Sequence, residues 1–214
     1  MADVTDTVNP NRIRAWLGRQ RRDLRWLWGL RGLPLPVLVF QWRARRLASR
    51  IGDSFSLTSA TRPQDLRLLV HLANGSRRVV ELGTAMGWTA ITLALADPQR
   101  RVVTYDPYER PEPQGYLALV GADVRARVEL VIAPGASGPR DGEPVDLLYI
   151  DSSHDRDETI AEVHAWLPQL RLGALVVFDD YGHPNHPGVR EAIDALGLDG
   201  ERRGTLFVHR HRGG

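Results

Sequence analysis

The chain has 214 residues, enough to bury a full core within one domain, and its 43% hydrophobic content is ordinary for a globular protein. It contains no cysteine, which excludes disulfides and thiolate metal sites, and all 28 of its basic residues are arginine, which excludes a catalytic lysine. A net charge of +2 is too small to imply a nucleic-acid partner, and no apolar run reaches membrane-spanning length. The first residues lack the basic-then-apolar order of a secretion signal, so a cytoplasmic protein is the expectation.

In chain order, residues 1–11 show no periodic pattern and are expected to be a disordered tail. Residues 12–54 read as a basic helical extension. Ile13, Trp16, Leu17, Leu24, Leu27 and Leu30 recur at helical spacing over 12–31, and Leu33-Pro34-Leu35-Pro36 breaks that run. A second helix is predicted over 37–51, ending near Gly52. Between Arg12 and Arg50 the only acid is Asp23. The ordinary reading is a cap on the main domain or on a second copy in a homodimer; the alternative is peripheral contact with an anionic membrane surface. From Arg62 the pattern is regular. A helix is expected over 63–73, then strands over 78–82, 101–105, 127–132, 145–150 and 174–178. Helices over 87–96, 114–121, 156–170 and 188–196 alternate with them, the third carrying Ile160, Val163, Leu167 and Leu170 on one stripe. This alternation predicts a doubly wound, mostly parallel α/β sheet. A last strand over 204–209 is expected to enter as an antiparallel edge, with a stunted strand within 197–203.

Ligands of such sheets collect at the carboxyl ends of the strands. The stretch Val79-Val80-Glu81-Leu82-Gly83-Thr84-Ala85-Met86-Gly87-Trp88-Thr89 is a strand, a tight turn and a helix start, the arrangement that holds a nucleotide-like cofactor. Asp106 ends the second strand, 19 residues beyond Gly87, where an acid accepts hydrogen bonds from ribose hydroxyls. Asp151 follows the fourth strand, and Asp179 with Asp180 follow the fifth. These carboxylates together with Glu81 would repel one another at one rim unless a cation sits among them. The Gly-x-Gly-x-x-Gly fingerprint of dinucleotide binding is absent, which counts against a nicotinamide-dependent oxidoreductase on the same fold.

The loop Glu81-x-Gly83-x-x-x-Gly87 resembles the first motif of class I S-adenosylmethionine-dependent methyltransferases. With Asp151 in YIDSSHD, Asp179-Asp180 in VVFDDY and the segment PGVREAID, the chain from about 55 to 210 is similar to the metal-dependent O-methyltransferases of the catechol, caffeoyl-CoA and macrocin types, often grouped as methyltransferase family 24. The resemblance implies a Rossmann-like methyltransferase domain over 55–214. It implies S-adenosylmethionine held by Glu81, Gly83, Thr84, Gly87, Trp88 and Asp106, and Mg²⁺ held by Asp151, Asp179 and Asp180. The acceptor would be the hydroxyl of a small molecule. His154 lies where catechol-type relatives carry a catalytic lysine, so His154, beside Asp151, is the candidate base. Ser56–Thr61 would form a lid, and Ala133-Pro134-Gly135-Ala136 would approach the adenine. Each residue also has an ordinary reading. The three Asp residues and His154 could be helix caps and loop groups, and Trp88 could plug the helix start. His183 and His186 could be surface loop polar groups, while His71, His164, His209 and His211 read as core-edge or tail histidines. A non-catalytic, membrane-associated scaffold that keeps the donor pocket is the third possibility.

Overall fold

Near-continuous runs of β-branched and other apolar residues make strands whose two faces are both buried, as a parallel sheet between helical layers requires. A computed structural model describes residues 10–213. Seven strands are present among them: β1 (Arg78–Leu82), β2 (Arg101–Asp106), β3 (Val128–Ile132), β4 (Val145–Ile150), β5 (Leu170–Phe178), β6 (Gly200–Arg203) and β7 (Leu206–Arg210). They form one sheet in the order β3-β2-β1-β4-β5-β7-β6. β1 pairs in parallel with β2 on one side and β4 on the other, so the winding reverses there. β7 runs antiparallel to β5. The short β6, within the 197–203 segment where a stunted further edge strand is expected, pairs antiparallel with the far side of β7, so the antiparallel edge is a β7-β6 pair with β6 outermost.

The helices are α1 (Pro10–Gly29), α2 (Leu35–Ile51), α3 (Ser54–Ser59), α4 (Pro63–Leu72), α5 (Trp88–Ala96), α6 (Glu112–Leu117), α7 (Ala122–Arg125), α8 (Arg156–Trp166) and α9 (Pro187–Ala195). Along β1, Val79 faces a layer that includes Phe40 of α2, Leu69 of α4 and Ile91 of α5. Val80 and Leu82 face the opposite layer, with Val163 and Trp166 of α8 and Val189 and Ile193 of α9.

The tail expected over 1–11 falls mostly on residues 1–9, which lie outside the described residues; residues 10 and 11 already belong to α1. The basic extension is seated on the sheet's helical layer. Phe40, Ala44 and Ala48 of α2 are buried there, and the buried Gln41 amide donates to Thr92 of α5 at 2.9 Å. Asp23, the lone acid of the run, takes the buried Arg45 at 2.8 Å, and that guanidinium lies over the Trp26 ring. Leu24, Trp28, Leu35, Val39 and Trp42 remain exposed. No helix among the described residues is long and apolar enough to cross a membrane.

Several elements depart from the sequence pattern. The helix expected to reach residue 170 ends at Trp166 and passes through a 3₁₀ turn over Leu167–Gln169 into β5, which starts four residues earlier than the apolar run suggested. Leu167 and Leu170 continue the helical stripe, but Pro168 lacks the amide that a continuing helix needs. α3 and α7 are short and polar, with no periodic signal to find.

Candidate active site

The ladder register explains why distant acids meet. At the carboxyl ends of the strands, Tyr105, Leu82, Ile150 and Phe178 stand side by side. The next row is Asp106, Gly83, Asp151 and Asp179, with the Gly83 amide on Tyr105 O, that of Asp151 on Leu82 O and that of Asp179 on Ile150 O at 2.8–2.9 Å. This row opens on a cleft of about 610 Å³, lined among others by Ala85, Tyr108, Ser152, His154 and Asp180. Phe55, Thr58 and Ser59 of α3, with the following Ala60 and Thr61, close its other side.

Gly83 has φ +104, and a Cβ there would fall inside the van der Waals envelope of the Asp151 carbonyl oxygen. Glycine is needed for both reasons. Asp106 accepts the Ala85 amide on one carboxylate oxygen and the Tyr108 amide on the other, each at 2.9 Å, and so fixes the two loops flanking its corner of the cleft. Glu81 is one step back in the sheet and buried, and it accepts the Thr104 hydroxyl at 2.6 Å. Burial, with Asp151 and Asp106 nearby, pushes its carboxyl up to about 8. Thr84 is buried beneath the loop against Thr104 at 2.7 Å. Gly87, at φ +75, starts α5, and Trp88 is buried edge-on to Tyr116 with ring centroids 5.3 Å apart. Glu81, Thr84 and Trp88 thus lie behind the Gly83 loop around a minor cavity rather than on the main cleft.

On the other half of the rim, the Tyr149 hydroxyl sits 3.2 Å from one Asp151 oxygen and 3.0 Å from one of Asp179. The Thr205 hydroxyl stands 3.3 Å from the other Asp179 oxygen. His154 Nε2 lies between Asp151, at 3.4 Å, and Asp180, at 3.6 Å, and His186 Nε2 is 3.7 Å from the same Asp180 oxygen. Burial, then its acidic neighbours, push the Asp179 carboxyl up to about 7, and burial likewise raises Asp151. Burial opposes a charge on His154, but the Asp151 carboxylate beside Nε2 and the other surrounding carboxylates outweigh it and raise its pKa. His154 and Asp180 both hold left-handed backbone, at φ 62 and φ 51. The first residues of α9 press on the His154 turn: a Cβ on Gly188 would stand 2.6 Å from His154 O and 2.7 Å from the Arg156 amide.

Asp106, Asp151, Asp179, Asp180 and His154 therefore share one cleft, while the Glu81, Thr84 and Trp88 side chains lie behind it, against the expectation that Glu81 joins the rim. Sequence reasoning missed Tyr149, Thr205 and Glu162. Tyr149 reads as one more apolar strand residue, and only the register puts its hydroxyl between two carboxylates. Glu162, buried on α8, accepts the Ser152 hydroxyl at 2.8 Å and leaves its other oxygen unpartnered beside Gly135; burial pushes it up to about 7.

Residues 80–181, which span the row of acids and the Gly83 loop, match the family model described as "Methyltransferase domain". Over that stretch the chain is similar to methyltransferase domains. No curated protein sequence matches the chain. Solved structures with the same fold include the O-methyltransferase of Bacillus cereus in complex with S-adenosylhomocysteine, at 18% identity and TM-score 0.62 over 79% of this chain and 91% of that one. The O-methyltransferase of Streptomyces achromogenes involved in tomaymycin synthesis, in complex with S-adenosylmethionine, is 23% identical over 89% of this chain and 99% of that one, with TM-score 0.60. A TDP-rhamnose 3′-O-methyltransferase of calicheamicin biosynthesis, in its apo form, is 19% identical over 98% and 99%, with TM-score 0.55. The last match covers nearly the whole chain, so the N-terminal helices also have a counterpart among solved folds.

Proposed function

We propose that the chain is a cytoplasmic S-adenosylmethionine-dependent O-methyltransferase acting on the hydroxyl of a small molecule. The observation that carries the reading is the shared cleft: the Gly83 loop and Asp106 lie at one end, and the Asp151–His154–Asp180 group lies at the other. Donor-bound relatives of this fold support the choice of cofactor. In the reaction the acceptor oxygen attacks the sulfonium methyl carbon. The new C–O bond forms as the C–S bond breaks, sulfur keeps the electron pair and leaves as a neutral thioether, and the hydroxyl proton goes to the protein. Asp106 and the Gly83 loop hold the ribose end of the donor and fix the methyl direction, and such positioning supplies much of the rate. His154 takes the proton at Nε2, which is buried without a hydrogen-bond partner, and the Asp151 and Asp180 carboxylates stabilise the imidazolium that results.

The rim also fits a divalent cation. Asp151, Asp179 and Asp180 crowd carboxylates at one lip, where burial first and mutual repulsion second raise Asp151 and Asp179, and a cation among them would relieve that repulsion. These three are the residues that would hold Mg²⁺, a hard ion suited to oxygen ligands. When bound, such an ion supplies a lowered pKa for an acceptor hydroxyl. The exposed apolar strip on α1 and α2 supports a homodimer contact for the extension, with peripheral membrane contact as the alternative. The proposal is tested by isothermal titration with S-adenosylhomocysteine, followed by mass-spectrometric detection of products 14 Da heavier from a panel of hydroxylated acceptors. Donor binding with no methylated product from sugars, polyphenols or other small hydroxylated compounds would point to the non-catalytic scaffold.

A further inference from the structure

The turn that follows β5 carries Asp180, His183 and His186 at intervals of three residues. Each interval is closed by a backbone hydrogen bond: the His183 amide donates to Asp180 O at 2.9 Å and the His186 amide to His183 O at 3.0 Å. This repeat of i→i+3 turns brings the three side chains to one side of the loop. One donor atom from each lies within 4.8 Å of the others, and among the described residues this is the one trio of metal-capable groups that converges so closely. The His183 and His186 rings are stacked at 4.8 Å, and the His154 ring lies 4.4 Å beyond His186. A second observation points to a cation at the same place. His154 Nε2 is buried without a hydrogen-bond partner and is wedged between the Asp151 and Asp180 carboxylates. An imidazole there occupies the position a positive charge would take.

We propose that Asp180, His183 and His186 form a site for a transition-metal dication at the mouth of the cleft. The donor set decides the class of ion. Two imidazoles with one carboxylate suit Fe²⁺, Co²⁺, Ni²⁺ or Zn²⁺, and the trio leaves positions open in the ion's shell; Mg²⁺ prefers oxygen ligands and keeps its waters. Asp180 and His186 keep 25% and 36% of their side-chain surface exposed, so an ion can enter. Binding reorganises one contact. The ion takes His183 Nδ1 in place of the Asn185 amide that donates to it at 3.2 Å, or takes Nε2 after a change of tautomer. The inference rests on the reading of this cleft as the acceptor site, but the binding test needs no donor or acceptor.

Full-length protein stripped with chelator is titrated with Co²⁺, and the visible d–d spectrum and calorimetric affinity are recorded. The same titration is run on His183→Gln/His186→Gln and on Asp151→Asn/Asp179→Asn. The expected result is a Co²⁺ spectrum with nitrogen ligation. Its affinity falls at least about tenfold in the double histidine variant, since losing even an outer-shell partner costs about 10–100-fold. It should change little in the Asp151→Asn/Asp179→Asn variant. The opposite ranking places the ion on the carboxylates and overturns the proposal, as does wild-type protein that shows no Co²⁺ spectrum. Where the histidine variant fails to fold, judged by its thermal melt, pulsed EPR of wild-type protein loaded with Cu²⁺ replaces it: ¹⁴N coupling from imidazole supports the site, and its absence overturns it. S-Adenosylhomocysteine titration of the wild-type protein separates the two readings, because a chain that binds Co²⁺ through the histidines but not the thioether fails as a methyltransferase and not as a metal site.

Discussion

Replacing Gly83 with alanine tests the architecture of the rim at its tightest point. The residue holds φ +104, where an L side chain is strained, at a cost of about 1–3 kcal/mol. The added Cβ also meets the Asp151 carbonyl oxygen, which belongs to a strand end and cannot rotate away. Overpacking of this kind costs about another 1–3 kcal/mol. A combined loss of about 4 kcal/mol corresponds to a melting temperature about 8–16 °C lower for a chain of this size. β1 and β4 must part for the methyl group to fit, so Asp151 leaves the row it shares with Asp106 and the affinity for S-adenosylhomocysteine should fall with the stability. Circular-dichroism melting and calorimetric titration read both effects. Gly115→Ala in α6, where a Cβ meets nothing within 4 Å, is the control and should leave both unchanged or slightly improved. A Gly83→Ala protein that melts within about 2 °C of wild type and binds the thioether normally would refute the reasoning.

Arg100→Met should separate folding from function. The buried guanidinium donates to the carbonyls of Ser76, Leu93 and Ala73, so its loss should destabilise by about 3–5 kcal/mol in urea denaturation while the folded fraction keeps donor affinity; a loss below about 1 kcal/mol would contradict this. Glu81 sets a pH dependence. Its carboxyl is held at about 8 in the folded chain against an ordinary 4.5, so the stability it contributes is full below about 4.5 and is lost as pH rises through 8. Glu81→Gln should therefore flatten the fall in urea midpoint between pH 5 and pH 8.5, and an unchanged slope would show that the group titrates elsewhere. His154→Asn should lower kcat by about 10²–10⁴-fold and leave thioether affinity within about twofold. Because the His154 pKa is raised, the acid limb of wild-type activity should lie above the ordinary histidine value of 6.5; a variant retaining more than a tenth of wild-type kcat would remove His154 from the chemistry.

Much of this architecture is legible in the sequence because hydrophobic period and glycine placement are local signals. The strand at 78–82 and the turn through Gly83 follow from a β-branched run meeting a residue that tolerates φ > 0. The acids at the ends of the strands are legible as a set, since a parallel sheet delivers every carboxyl end to one rim. What the sequence does not carry is the third dimension of that rim. Tyr149 alternates like any buried strand residue, and its hydroxyl becomes a site group only when β1, β4 and β5 fix their register. Glu81 and Thr84 stand in the expected motif, yet the pleat of β1 at Glu81 and the turn through Gly83 at Thr84 leave their side chains away from the open cleft. The Asp180–His183–His186 spacing is visible as letters, but its meaning depends on successive backbone turns that polar loop residues do not announce. The start of β5 was hidden because Leu167 and Leu170 satisfy a helical stripe as well as a strand.

The central claim is that the end of the cleft built by the Gly83 loop and Asp106 holds a sulfonium methyl donor. Calorimetric titration of S-adenosylhomocysteine and, in parallel, NAD into wild-type protein and Asp106→Ala tests it most directly. One thioether per chain, no NAD, and a loss of at least about 1.4 kcal/mol (tenfold) in the variant is the predicted outcome. Binding of NAD in place of the thioether, or thioether binding indifferent to Asp106, would contradict it.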